Sequence, residues 1–133
     1  MTNGSVAVVR RYLEALRRLD PEAMFAELDE DVVLELPVAP EGMPKRVEGK
    51  KAFAEFFGPV AAGLWQEIRF PTLDVRAEAD PELVVAEYTS EGVFANGRPY
   101  ANTYVNLCRV RGGKIVETKE FFDPLALIAG LQP

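Results

Sequence analysis

An α+β fold, in which helices pack on one face of a strongly curved, mixed but mostly antiparallel sheet to form a cone with an internal pocket, is predicted by three features. Helical periodicity is confined to the first half of the chain and its last few residues. From Glu67 to Phe122 the chain reads as an antiparallel meander, punctuated by turn signals at Asp80-Pro81, Asn96-Gly97 and Gly112-Gly113. Within that meander, polar residues recur at spacing two on a face expected to look inward. Tyr100, Asn102, Tyr104, Asn106 and Cys108 share one side, and Ala101, Thr103, Val105, Leu107 and Arg109 the other.

The elements follow in order. Met1 to Gly4 reads as a tail, and Ser5 as the N-cap of a helix from Val6 to Leu19, on which Val9, Leu13 and Leu16 form the apolar stripe. Asp20 caps a short second helix that begins at Pro21, where a missing N–H costs nothing. Val32 to Leu36 alternates as a strand ended by Pro37, and Val38 to Gly49 reads as loop. Lys50 to Leu64 has the clearest helical pattern, with Phe53, Phe56, Phe57, Val60 and Leu64 at spacings of three and four. Gly58-Pro59 predicts a kink inside it.

The meander begins at Glu67, and a phase change at Pro71 predicts a bulge. Leu83 to Phe94 is a strand that a hairpin at Asn96-Gly97 joins to the next. After Gly112-Gly113, Val116, Thr118, Glu120 and Phe122 share one side of the last strand. Asp123 caps a closing helix with Pro124 as its first residue, ending near Ala129 before Gly130.

Length and composition bound the function. At 133 residues the chain is expected to form one domain over 1–133, large enough to bury a core without a staple. A net charge of -6 argues against nucleic acid and anionic membrane as partners, since both reward clustered Lys and Arg. The single cysteine, Cys108, cannot form an internal disulfide. With no stretch long and apolar enough for a signal core or a membrane span, a cytoplasmic location is expected. The absence of histidine removes Ser-His-Asp and Cys-His arrangements, most zinc sites and any imidazole shuttle. Proton chemistry therefore falls to Asp, Glu, Tyr or Lys, and no spacing suggests a metal or organic cofactor, so none is expected.

In order and spacing, Val8-Val9-Arg10-Arg11-Tyr12-Leu13-Glu14-Ala15-Leu16, the Asp31 to Pro37 strand, Asn96-Gly97-Arg98 through Gly113-Lys114-Ile115, and the closing Glu120-Phe121-Phe122-Asp123-Pro124 resemble the cone-shaped superfamily of ketosteroid isomerase and the SnoaL-like polyketide cyclases. That resemblance implies a small apolar molecule in the pocket and acid/base chemistry of the isomerase, cyclase or epoxide hydrolase kind. In ketosteroid isomerase a tyrosine on the first helix and a protonated acid on a later strand form the oxyanion hole, and an aspartate on the first strand is the base. Tyr12 stands at the tyrosine position and Asn106 where the acid would be. The base position, just before Pro37, is Leu36, so the family's own steroid mechanism is not implied.

Another carboxylate must then carry the proton. Glu120 is the first choice, Glu87 the second and Glu91 the third, because their face parity matches the family's pocket positions. Burial beside Phe122, Val93 and Tyr104 would raise a glutamate pKa toward neutrality. Catalytic candidates are thus Glu120, Glu87, Tyr12 and Asn106, and substrate-binding candidates are Thr89, Glu91, Val93, Asn102, Tyr104 and Phe122. Each has a plainer reading: Glu120 as a wall carboxylate bonded to Asn102 or Tyr104, Tyr12 as a core aromatic, Cys108 as a small buried hydrophobe. The other function class is a ligand-binding or dimerisation module without catalysis. Ala101, Thr103, Val105 and Leu107 lie opposite the pocket with too few helices to cover them, which predicts a homodimer through that face.

Overall fold

The computed structural model describes residues 4–131. Its elements are α1 (Gly4–Arg17), α2 (Pro21–Phe25), β1 (Leu28–Glu35), β2 (Arg46–Glu48), α3 (Lys50–Gly63), β3 (Trp65–Ala77), β4 (Leu83–Phe94), β5 (Pro99–Arg111), β6 (Lys114–Phe122) and α4 (Pro124–Leu131). The six strands form one sheet in the order β2-β1-β6-β5-β4-β3, and only the β1–β6 pair is parallel. The helices pack on its inner face, giving the α+β cone.

Of the tail expected at Met1 to Gly4, the first three residues lie outside the described residues, and Gly4 already belongs to α1. Ser5 therefore lies within the first turn rather than ahead of it. At the other end, Leu19 adopts φ 56°, while its N–H bonds Leu16 O at 2.8 Å and the Asp20 N–H bonds Ala15 O at 2.9 Å. This is a Schellman closure with leucine where glycine is usual. The helix consequently ends two residues before Leu19 and the chain turns directly into α2, whose cap is Asp20, accepting from Ala23 N–H at 3.1 Å.

Within the stretch expected to be loop, Arg46–Glu48 pairs with β1. Three residues are too few for alternation to reveal. α3 runs unbroken through Pro59. In β3 the register with β4 shifts between Arg69 and Thr72, around Pro71, where the bulge is expected.

The β4–β5 hairpin determines which side chains face the cone. Phe94 N–H bonds Arg98 O at 2.8 Å, Gly97 N–H bonds Phe94 O at 2.9 Å, and Gly97 takes φ 89°. The loop is thus Ala95-Asn96-Gly97, a three-residue connection with glycine in the left-handed position, whereas Asn-Gly usually marks a two-residue turn. A two-residue turn would set Tyr100 opposite Val93. The three-residue loop sets it opposite Gly92, and so Tyr88 opposite Tyr104 and Ala86 opposite Asn106. Because side chains alternate, one residue of register moves the whole strand to its other face. Val84, Ala86, Tyr88, Ser90 and Phe94 are therefore buried with Tyr100, Asn102, Tyr104, Asn106 and Cys108.

Glu87, Thr89, Glu91 and Val93 are corrected accordingly, because all four stand on the outer face. Glu87 and Glu91 are exposed and pair with Arg76 at 3.1 Å and Arg69 at 3.6 Å. Thr89 shares a 2.7 Å hydrogen bond with Thr72. Keeping two ionised carboxylates in water rather than in the core is the arrangement that desolvation favours.

Candidate active site

Between the inner face of the sheet and the helices lies a cavity of about 220 Å³. Its walls are almost wholly apolar and aromatic. α3 supplies Phe56, Phe57 and Val60, β3 supplies Trp65, Ile68 and Phe70, β4 and β5 supply Tyr88, Tyr100 and Tyr104, β6 supplies Glu120 and Phe122, and α4 supplies Leu127 and Leu131. Leu36, which stands at the family's base position, is also in the wall, so an aliphatic side chain stands there. Glu120 is the one ionisable acid or base of the carboxylate, Lys or Arg kind in this lining.

Glu120 pairs directly across the strands with Asn106, which fixes its direction into the cone. Among the described residues its carboxylate accepts no hydrogen bond and meets no cation. Withdrawal from water alone pushes its pKa up from 4.5 to about 7. Its charge is also felt by the hydroxyls around it: Tyr12, Tyr88, Tyr100 and Tyr104 are all held above the ordinary tyrosine range, by burial first and by neighbouring charge second, with Glu120 contributing to each. The ring hydroxyls therefore stay protonated and serve as donors.

The tyrosines form an ordered wall. Tyr88 stacks on Tyr104 with ring centroids 4.6 Å apart, and Phe70 meets Tyr88 edge-on at 5.1 Å. Tyr104 bonds Tyr100 at 2.7 Å and Ser90 at 2.9 Å, and Asn102 Nδ2 donates to Tyr100 at 2.8 Å.

The two buried asparagines have different duties. Asn102 donates also to Asp123 O at 3.0 Å and accepts from Asp123 N–H at 2.9 Å, so its amide is consumed in tying β5 to the start of α4 and is not available to a ligand. Asn106 is 1% exposed. Its Oδ1 accepts from Thr118 Oγ1 at 2.5 Å and from Cys108 Sγ at 3.4 Å. Neither asparagine is in the cavity lining. Tyr12 is 2% exposed, behind the wall but within electrostatic reach of Glu120.

The structure thus brings Glu120, Tyr104 and Phe122 together at the cavity, with Asn106, Asn102 and Tyr12 one layer back and Glu87, Thr89, Glu91 and Val93 outside. Cys108 is fully buried, its thiol pushed up to about 12 by burial above all, which suits a small core residue. Sequence reasoning missed Tyr88, Tyr100 and Trp65 as lining. Trp65 Nε1 is buried there without a partner among the described residues. No group of three or more Cys, Asp or Glu among the described residues is placed to hold a metal ion. No helix there is long and apolar enough to cross a membrane.

Comparison with known proteins agrees with this architecture. The SnoaL-like domain family matches residues 9–118. The protein YesE of Bacillus subtilis is 31% identical over 120 residues, 90% of this chain and 81% of that protein. Among solved structures, a Bacillus subtilis protein provisionally assigned as an isomerase is 27% identical and superposes with a TM-score of 0.87, covering 98% of this chain and 95% of that one. A protein of Xanthomonas campestris pv. campestris provisionally assigned as a polyketide cyclase is 28% identical with a TM-score of 0.80, covering 97% of each chain.

Proposed function

The chain belongs to the SnoaL-like family, and from that premise we propose that it is an enzyme acting on a small apolar carbonyl compound by proton transfer, with Glu120 as the proton carrier. One observation carries the reading: a lone carboxyl, unpaired and with its pKa raised to about 7, faces an aromatic cavity with no cation in the lining. A structural carboxylate would be expected to have partners. A group poised near neutrality can both take and return a proton at working pH. The missing cation also selects against anionic ligands, which would meet Glu120 with nothing to offset their charge.

The chemistry that fits is enolisation next to a carbonyl, the shared first step of isomerisation and of cyclisation by carbon–carbon bond formation. Ionised Glu120 takes the α-proton, the C–H electron pair becomes the enol double bond, and the carbonyl π pair moves onto oxygen. Return of the proton from Glu120 to a different carbon, or attack of the enolate on a second carbonyl with the Glu120 proton passing to the alkoxide so formed, completes the reaction. Similarity to proteins provisionally assigned as an isomerase and a polyketide cyclase supports this class.

The test is deuterium uptake from D2O into the α-positions of 2-tetralone, followed by proton NMR, for wild type and Glu120→Gln. Loss of roughly two to four orders of magnitude of the protein-dependent rate is expected, the range for general acid/base work. An equal rate in the variant would overturn the role of Glu120. Absence of protein-dependent exchange, with 2-tetralone still bound, would favour the binding module.

A second copy of the chain is the partner this reading includes. On the outer sheet face Val93, Val105, Leu107 and Phe121 are only partly covered. Association through this face would leave the cavity free, and light scattering at tens of micromolar would detect the dimer.

A further inference from the structure

Glu120 is surrounded by rings and by nothing that carries positive charge. α3, β3, β4, β5 and β6 each contribute at least one aromatic ring to the cavity lining, and no Lys or Arg is among the lining residues. An ionised carboxylate in such a place lacks the counter-charge that would offset its loss of water. A ligand can bring one. The chain as a whole has a net charge of -6, so it draws cations rather than anions toward itself.

The wall also selects the kind of cation. A primary ammonium has three N–H donors to satisfy. The hydroxyls of Tyr100 and Tyr104 are already bonded to one another at 2.7 Å, and Tyr104 to Ser90 at 2.9 Å, while most of the remaining lining is hydrocarbon. A tertiary ammonium has a single N–H, which one carboxylate satisfies. Its N-alkyl groups spread the rest of the charge over a surface that ring faces attract, within about 6 Å of a ring centroid. Phe70 stands edge-on to Tyr88, at an interplanar angle of 68°, so these two rings border a guest from different directions.

We propose that the cavity also binds a ring-sized tertiary ammonium ion, its N–H donated to the Glu120 carboxylate and its N-alkyl groups set against the aromatic wall. This needs the cavity and an ionised carboxylate but no turnover, so it stands apart from enolisation by Glu120. The two uses exclude one another at any moment. A cation seated on Glu120 occupies the base and blocks exchange.

Binding of the cation is coupled to the charge of Glu120, whose pKa is raised to about 7 in the free protein. Below that value the carboxyl is neutral and the cation must displace a proton. The other titratable groups facing it are Tyr12 on α1, Tyr88 on β4, and Tyr100, Tyr104 and Cys108 on β5, all held above their ordinary ranges. Among the lining residues α3, β3 and α4 present none. Of these groups Glu120 alone changes charge between pH 6 and 8.

The experiment compares 2-(dimethylamino)tetralin, protonated over this range, with 2-isopropyltetralin, which has the same shape and no charge. The chain's one tryptophan, Trp65, lines the cavity, so its fluorescence reports occupancy by either. At pH 8 wild type should prefer the ammonium ion by roughly ten- to a hundredfold, the worth of a hydrogen bond to a charged group. At pH 6 that preference should be about tenfold smaller, since one proton is displaced. Glu120→Gln should abolish the preference and its pH dependence. Phe70→Leu and Phe122→Leu, at half-buried lining positions, should each lower it by roughly two- to fivefold. The ammonium ion should also inhibit 2-tetralone exchange competitively.

Equal affinity of wild type for the two probes at pH 8, or a preference that survives in folded Glu120→Gln, would overturn the proposal. A preference unchanged in both folded phenylalanine variants would overturn the part played by the rings. Failure here is distinguishable from failure of the enolisation reading. Exchange that depends on Glu120 in a protein indifferent to the ammonium ion would remove the cation site alone, and a Glu120-dependent cation preference in a protein without exchange would remove the base alone.

Discussion

Asn106 and Glu120 are directly opposed across β5 and β6, yet they share no hydrogen bond. The asparagine oxygen is already taken by Thr118 and Cys108, and the glutamate is left facing the cavity without a partner. The raised pKa of Glu120 follows from its withdrawal from water.

The protein-dependent exchange rate should rise with pH to a plateau, with a midpoint near the Glu120 pKa of about 7. A base must be ionised to act, so activity is absent below that range. Rates by NMR between pH 5 and 9, corrected for hydroxide-catalysed exchange, check this. A midpoint near 4.5 would show that the carboxylate is solvated.

Glu120 should also cost stability at alkaline pH. Its folded pKa lies above its unfolded one, so the native state binds the extra proton between pH 4.5 and 7, and stability falls as pH rises through that window. Above it the ionised group, which is half-buried rather than sealed from solvent, destabilises the fold by something on the order of 1 to 3 kcal/mol. Glu120→Gln should therefore match wild type at pH 4 and exceed it at pH 8 in urea denaturation. Equal midpoints at both pH values would refute the buried-acid description.

Substitutions on the outer face should be silent in the cavity. Glu87→Gln and Glu91→Gln remove only exposed pairs with Arg76 and Arg69, worth about 0 to 1 kcal/mol. Exchange rates within roughly twofold of wild type are expected. A large loss in either would return these carboxylates to the site.

Docking of α4 depends on Gly130, where an added Cβ would lie 1.8 Å from the Phe94 ring. Gly130→Ala should push the helix outward, cost about 1 to 3 kcal/mol, and loosen the cavity lid formed by Leu127 and Leu131. Hydrogen exchange should show faster amides in 124–131, with weaker naphthalene binding. Unchanged protection would place the adjustment in Phe94 instead.

Much of this was legible in the sequence because alternation reports faces reliably once one residue is anchored. Tyr100, Asn102, Tyr104, Asn106 and Cys108 do share the buried side of β5, and elimination of histidine leads to a carboxylate at the site. What alternation cannot supply is the phase of one strand relative to the next, since that depends on the backbone of the connecting turn. Without that phase, alternation alone puts Glu87 and Glu91 inward and Tyr88 outward, the reverse of the observed register. A desolvation argument would have recovered it: Val84, Ala86, Tyr88 and Ser90 make an inner face with no charge to bury, and the alternative carries two. The lid residues Leu127 and Leu131 were hidden for another reason, because where a short terminal helix docks is not encoded in its own periodicity.

The connection Ala95-Asn96-Gly97 then acquires a meaning for inheritance. Deleting a single codon from it would still permit a well-formed two-residue hairpin, but with β5 held in place it would rotate the acidic stripe of β4 into the cavity and carry Tyr88 out to solvent. Deletions or insertions of one residue here should therefore be purged, while substitution at Ala95 is tolerated and Asn96 is held by its bonds to Gly130 O at 3.0 Å and Arg98 N–H at 2.9 Å. Length, together with glycine at the left-handed position 97, is the quantity to look for in that loop.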